Sequence, residues 1–186
     1  NPPYVCARNL DKETKEKLKN WEVCQSGNSD LYIPFFQIAI ENLAENGTLG
    51  FITMNSFFKS LNGRALRDYF QRKELAISII DFGSEQVFKS KNTYTCICFI
   101  ENKAEQFISY TESVTKNLGR KLPFKKIRYN ILDSIKGWNL KDNKIISKIE
   151  STGIPFGELY QTRHGIATLK NDIYIFRPVD EDENYF

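Results

Sequence analysis

Several features of common protein classes are missing from this sequence. No apolar run approaches the roughly 18 to 20 residues that cross a bilayer, and no basic and apolar leader of the secretory type is present. The four cysteines show no C-x-x-C spacing and there is a single histidine, so the sequence predicts no metal site. We therefore expect a soluble, cytoplasmic protein with no membrane partner.

Charge is nearly balanced over the whole chain but unevenly distributed along it. The net charge is +3 and the pI about 8.6, which is compatible with a polyanionic partner and does not by itself indicate one. Residues 115–128, which we call the basic segment, contain six basic residues and no acidic residue. This segment is either a solvated face or follows the phosphates of DNA. Its candidate DNA contacts are Arg120, Lys121, Lys125 and Lys126.

The first helix-and-strand unit is predicted between residues 30 and 54. Asp30 is a candidate N-cap, and Gly47 would supply a left-handed stop after the helix. Leu31 and Phe35 follow helical spacing and would share one side of this helix. The apolar run 48–54 then predicts a central strand that is buried on both faces, as in parallel sheets.

A second unit of the same kind follows, and then the pattern changes. The helix has three apolar residues on one side, namely Leu66, Tyr69 and Phe70. It leads into a strand over 76–82, and a further β run over 93–101 is close enough to pair antiparallel with that strand. Within this run Cys96 and Cys98 alternate, which predicts two reduced thiols on one buried face.

The first four residues, Asn-Pro-Pro-Tyr, form what we call the acceptor corner. Pro2 and Pro3 fix their φ angles, lack amide donors and leave rigid carbonyl groups available as acceptors. The Asn1 side chain adds another oxygen, and Tyr4 offers a flat ring. Such a corner suits an exocyclic amine on a flat heterocycle, whose two hydrogens need acceptors and whose ring needs a stacking surface. In duplex DNA that base would first have to be flipped out.

The ordered series of motifs resembles the amino-methyltransferases, most closely the gamma-class adenine-N6 DNA methyltransferases of restriction-modification systems, including the fused type IIG enzymes. "NPPY" resembles their motif IV, "DLYIPFFQIAIENLAENG" motif V, and "GTLGFITMNSFFKS" motif VI. "IIDFGSEQVF" resembles motif VII, "VFKSKNTYTCICFI" motif VIII, and "RHGIATLKNDIYIF" the opening of the target-recognition domain. This order, with the recognition-like segment downstream, is that of the gamma class.

The resemblance implies roles for individual residues. Asn1 and the Pro2 carbonyl would accept hydrogen bonds from the N6 amine of a flipped adenine, on which Tyr4 would stack. Pro3 and Phe88 would also contact this base. The resemblance also implies that Phe35 packs against the adenine of S-adenosylmethionine. Arg163 and Lys170 would contact DNA.

The resemblance also implies an α/β fold and a domain order. Residues 1–112 would be the C-terminal half of a Rossmann-like methyltransferase sheet with an antiparallel terminal pair. Residues 113–135 would be a basic linker, and residues 136–186 the start of an incomplete target-recognition domain. The partners would be double-stranded DNA and a fused or separate restriction nuclease.

The glycine loop that holds S-adenosylmethionine in this family has no counterpart here, because no two glycines have G-x-G spacing. We therefore expect an internal piece of a longer protein, which by itself binds the cofactor weakly and does not methylate. Two alternatives stay open at this stage. One is a protein glutamine or ribosomal RNA guanine methyltransferase, and the other is a non-catalytic fragment for DNA contact or assembly.

Overall fold

The computed structural model divides the chain into two compact units, Asn1–Asp142 and Asn143–Phe186. The residues that it describes are 1–88, 93–141, 148–149 and 151–161. Within these ranges, each helix is too short or too polar to span a bilayer.

The first unit combines helices with one mixed sheet. Its described helices are α1 (Lys12–Leu18), α2 (Ile33–Glu41) and α3 (Arg64–Lys73). Its strands are β1 (Thr48–Met54), β2 (Leu75–Asp81), β3 (Thr95–Ala104), β4 (Phe107–Glu112) and β5 (Lys125–Arg128). The predicted α/β class is confirmed.

The sheet has the strand order β1-β3-β2-β4-β5. Strand β3 lies antiparallel to both of its neighbours, β2 and β4 run parallel, and β5 is antiparallel to β4. The predicted antiparallel pairing of β2 with β3 is confirmed. This pair does not end the sheet, because β3 lies between β1 and β2 and two more strands follow. Residues 125–128 therefore belong to the sheet, although we had interpreted 113–135 as a linker.

The prediction that β1 is buried on both faces is wrong. Among the described strands β1 pairs only with β3, in antiparallel register, and most of its residues are exposed or half-buried. A short apolar run is compatible with either position, because an edge strand that packs on one face needs as many apolar residues.

Helix α2 presents a different side to the core than its spacing predicted. Ile33, Phe36 and Ile40 are buried, whereas Phe35 is half-buried and turned partly away. The sequence IPFFQIAI is apolar nearly all round, so periodicity alone could not select the inner face.

Neither of the two predicted boundary residues caps or ends this helix. Asp30 does not cap α2; its carboxylate accepts a hydrogen bond from the Ala7 amide at 2.8 Å. The left-handed residue after the helix is Asn46, with φ of 58°, and not Gly47. Asparagine tolerates this conformation better than most residues, so it replaces glycine here at small cost.

Helix α3 packs in the core and also hydrogen-bonds to the chain segment that follows β5. Leu66, Tyr69 and Phe70 are buried as predicted. On the same helix, Arg67 donates to the carbonyl of Ser134 at 2.9 Å, and Gln71 accepts from the Trp138 indole at 3.0 Å. Trp138 is fully buried in this unit, although the implied domain order places it in the target-recognition domain that starts at residue 136.

The second unit is described only in part. It contains the short helix α4 (Phe156–Leu159), and the ring of Phe156 lies 4.9 Å from that of Tyr160, the residue that follows the helix. The predicted DNA contacts Arg163 and Lys170 lie outside the described residues.

Candidate functional site

The acceptor corner lies beside the free edge of β1. Asn1 is exposed, Pro2 is buried and Pro3 is half-buried. The Tyr4 hydroxyl donates a hydrogen bond of 2.7 Å to the Ile52 carbonyl in β1, and its ring packs against the core. The corner therefore has a fixed ring next to an accessible asparagine.

The Tyr4 hydroxyl is an uncharged hydrogen-bond donor. Burial, with smaller contributions from the neighbouring thiols Cys96 and Cys98, raises the pKa of Tyr4 to about 12. A phenol with this pKa keeps its proton at neutral pH, so the hydrogen bond to Ile52 stays intact and the ring keeps its position. Cys96 and Cys98 are free and buried, as predicted, with their sulfurs 3.7 Å apart.

The structure brings Phe88 to Tyr4, although 84 residues separate them in the sequence. Their ring centroids are 6.3 Å apart and the rings are inclined by 59°. This separation is that of an interacting aromatic pair. The two rings touch each other, so a base that is to lie between them requires Phe88 to move.

A buried carboxylate fixes the start of the loop that carries Phe88. Asp81, at the end of β2, accepts hydrogen bonds from the Asn55 amide, the Gly83 backbone amide and the Tyr110 hydroxyl, at 2.8 to 2.9 Å. Asn55 also donates to the Gly83 carbonyl at 3.2 Å. The network joins the carboxyl ends of β1 and β2 to β4, which is the edge where open α/β sheets bind ligands. Sequence reasoning missed it because these residues are far apart in the chain.

The same loop is attached at a second point. Glu85 accepts hydrogen bonds from the backbone amide of Thr115 at 2.9 Å and from its hydroxyl at 2.6 Å. These two bonds lower the pKa of the Glu85 carboxyl. Thr115 is the first residue of the basic segment, so this contact joins the Phe88 loop to that segment.

A cavity of about 370 Å³ opens at this edge of the sheet. Its wall includes Asn55, Asp81, Tyr94 and Asn139. Tyr94 is about half exposed there. Neither the acceptor corner nor Phe88 lines this cavity. Among the described residues, no three His, Cys, Asp or Glu side chains are grouped so as to hold a metal ion.

The cations of the basic segment are exposed and contact aromatic rings. Lys125 lies over the ring of Tyr110, whereas Lys126 and Arg128 lie over the ring of Phe107. Arg120 and Lys121 are also exposed. Within the part of the chain that is described, none of these five forms an ion pair. Sequence reasoning had not selected Arg128, because the strand that places it beside Lys126 was not predicted.

The residues of this chain account for only part of a binding site for S-adenosylmethionine. Phe35 is half-buried, so part of its ring is accessible, and Asn1 offers an exposed polar side chain. The sequence has no G-x-G loop to hold the rest of the cofactor. These residues can therefore supply only some of the contacts that a cofactor of this size needs.

The fold is that of restriction-modification enzymes of known structure. It is similar to the structure of a DrdV–DNA complex, with a TM-score of 0.53 and 18% identity over 75% of this chain and 17% of that one. It is equally similar to the type IIG restriction endonuclease BpuSI, with a TM-score of 0.54 and 14% identity over 74% of this chain and 20% of that one.

Sequence comparison finds relatives among restriction-modification methyltransferases. Residues 1–88 match the family described as Eco57I restriction-modification methylase. The chain is 30% identical to the type II restriction enzyme and methyltransferase RM.Eco57I of Escherichia coli, over all of this chain and 20% of that protein. It is 32% identical to the type II methyltransferase M.BstVI of Geobacillus stearothermophilus, over 62% of this chain and 20% of that protein.

Residues 1–88 therefore match the Eco57I restriction-modification methylase family, and the chain as a whole is similar to restriction-modification methyltransferases. The predicted resemblance to restriction-modification methyltransferases is confirmed, whereas action on the N6 amine of adenine stays a prediction. The chain spans 20% of the length of each of these two relatives.

Proposed function

We propose that this chain is the base-binding part of a DNA methyltransferase that acts on the N6 amine of adenine in a restriction-modification system. The observation that carries the proposal is the acceptor corner, in which the Tyr4 ring is fixed next to the exposed Asn1 and opposite Phe88. The named relatives are restriction-modification proteins, which favours DNA over the glutamine or ribosomal RNA alternatives.

The corner would act by holding the amine in a reactive geometry. The lone pair of an N6 amine is delocalised into the purine ring, which makes the nitrogen a poor nucleophile. If the Asn1 side-chain oxygen and the Pro2 carbonyl accept its two hydrogens, the lone pair is localised on nitrogen and points away from them. Tyr4 would stack on the purine and offset part of the cost of flipping it out of the duplex.

The proton that the amine loses would leave through the two acceptors or to water. The corner itself has no group that titrates near neutral pH, so we infer that proton loss follows the attack on the methyl group. S-adenosylmethionine would supply that methyl group. In this chain Phe35 would contact it.

DNA would be held mainly through its phosphates. The exposed cations Arg120, Lys121, Lys125, Lys126 and Arg128 form no ion pair in the described part of the chain. Arg163 and Lys170 stay proposed contacts of the recognition-like segment. RM.Eco57I is by its name both a restriction enzyme and a methyltransferase. We therefore propose a restriction nuclease, fused or separate, as a further partner.

The test is direct chemical detection of the product. A protein that contains this chain and includes a cofactor-binding half is expressed in a host without adenine methylation, and its DNA is hydrolysed and analysed by mass spectrometry. We expect N6-methyladenine with the natural sequence and none with Asn1→Ala. Methylated cytosine, or methylated protein glutamine without methylated DNA, would contradict the proposal.

A further inference from the structure

The contact between Glu85 and Thr115 links two regions that the proposed function uses separately. Glu85 lies three residues before Phe88, a span of at most roughly 10 Å. Thr115 opens the basic segment, and Lys116 follows it directly. The two hydrogen bonds between Glu85 and Thr115 therefore connect a base-contacting ring with the first residue of a phosphate-binding stretch.

The ring of Phe88 has to change position when a base binds. It lies against Tyr4 with a centroid separation of 6.3 Å, which leaves no space for a purine between the rings. Its loop is fixed at Gly83 by the buried Asp81 network, so movement near Gly83 would break several bonds. The half-buried Glu85 is a second attachment of this loop, and it lies nearer to Phe88 in the chain than Gly83 does.

DNA binding would act on this attachment. The cations of the basic segment form no ion pairs among the described residues, and Lys116 lies near enough to Glu85 to lower the pKa of its carboxyl. A phosphate bound at Lys116 would shift the short turn Thr115–Asn117, which contains this lysine. Because Thr115 holds Glu85 through two bonds, such a shift is passed to the Phe88 loop.

We propose that the Glu85–Thr115 contact is a positioning device that couples phosphate binding at the basic segment to movement of Phe88 away from Tyr4. This inference rests on the proposed function, because it takes DNA as the ligand and the Tyr4 ring as the stacking surface. Glu85 and Thr115 are positioning residues that act through Phe88 and touch no reacting atom.

The test places a reporter on the ring that is expected to move. In the protein, 4-fluorophenylalanine replaces Phe88, and its ¹⁹F signal is recorded before and after addition of a mixed-sequence DNA duplex. DNA binding itself is followed by fluorescence anisotropy of the labelled duplex. We compare the natural protein with Thr115→Val, which removes the hydroxyl donor at nearly constant shape, and with the conservative variant Thr115→Ser.

We expect a DNA-dependent change of the ¹⁹F signal in the natural protein, a clearly smaller change in Thr115→Val, which keeps only the backbone-amide bond to Glu85, and recovery of the full change in Thr115→Ser. DNA affinity should stay within about two-fold in all three, because the hydroxyl is not a phosphate contact. A change of equal size in all three proteins would overturn the coupling and leave the proposed function intact. Absence of DNA binding in every protein would overturn both.

A kinetic measurement separates coupling from a purely structural role of Thr115. In a methylation-competent protein that contains this chain, Thr115→Val should lower the single-turnover rate at saturating DNA by about five-fold, because it removes one charge-assisted hydrogen bond. In a Phe88→Ala background the same substitution should have no further effect. Equal losses in both backgrounds would contradict the proposal.

Discussion

The acceptor corner and the basic segment are built in opposite ways. In the corner, the Tyr4 hydroxyl is bonded to the Ile52 carbonyl and its ring packs on the core. In the basic segment, the cations are exposed, and three of them, Lys125, Lys126 and Arg128, lie over the faces of aromatic rings. A group that holds one amine for reaction needs a fixed geometry, whereas charges that attract phosphates act over a distance and tolerate movement.

The largest effect is expected from charge reversal in the basic segment. Substitution of Arg120, Lys121, Lys125 and Lys126 by glutamate should lower DNA affinity about a hundred-fold at low salt. Each lost phosphate contact should also reduce the slope of log affinity against log salt by about 0.9. The measurement is a salt titration of DNA binding by anisotropy.

A control for this prediction comes from charge reversal at Lys15 and Lys17 on the exposed helix α1. These positions are also lysines, and Lys17 already pairs with Glu13. We expect almost no change in the slope there. An unaltered slope after reversal of all four cations in the basic segment would identify that segment as a solvated face.

A smaller effect, on rate instead of affinity, is expected in the corner. Tyr4→Ala removes the stacking surface and should lower single-turnover methylation roughly ten- to hundred-fold at saturating DNA, since base stacking is worth about 1 to 3 kcal/mol. Tyr4→Phe keeps the ring and serves as the matched control, with most of the rate retained. If Tyr4→Ala methylates at the rate of the natural protein, the stacking role is wrong.

The smallest effect concerns the hydroxyl of Tyr4 and depends on pH. The pKa of Tyr4 is raised from 10.0 to about 12 in the folded protein. The hydroxyl therefore stabilises the fold fully below pH 10, and this contribution is lost as the pH rises from 10 to 12. Because the group is partly solvated, we expect a contribution of about 1 kcal/mol or less.

Urea unfolding of the natural protein and of Tyr4→Phe at several pH values measures this contribution. The difference in unfolding free energy between them should be constant up to about pH 9 and should shrink between pH 10 and 12. The other buried tyrosines are common to both proteins and cancel in the difference. A difference that grows with pH would show that the hydroxyl does not donate to Ile52.

Local patterns in the sequence predicted the features that depend on near neighbours. Leu66, Tyr69 and Phe70 lie on the buried side of α3, and Cys96 and Cys98 share a buried face of β3, as their spacing indicated. In each case, one side of the element is polar or exposed, so the period of the apolar residues identifies the inner face.

Features that depend on distant residues could not be predicted in this way. The strand at 125–128 has lysines and an arginine at its exposed positions, and only Ile127 is buried. A single apolar residue gives no period from which a strand, or its pairing with β4, could be predicted. The Asp81 network and the Glu85–Thr115 contact join residues about 30 positions apart. No local period encodes such contacts, because the topology of the sheet brings them together.

The most direct test of the central claim is an experimental structure of a methylation-competent protein that contains this chain, bound to a DNA duplex with its target site. We expect one adenine outside the helix, stacked on Tyr4, with its N6 amine within hydrogen-bond distance of the Asn1 side chain and the Pro2 carbonyl. Phe88 should have moved away from the position that it has here, 6.3 Å from Tyr4. A target adenine that binds elsewhere, with Tyr4 and Phe88 still in contact, would contradict the claim.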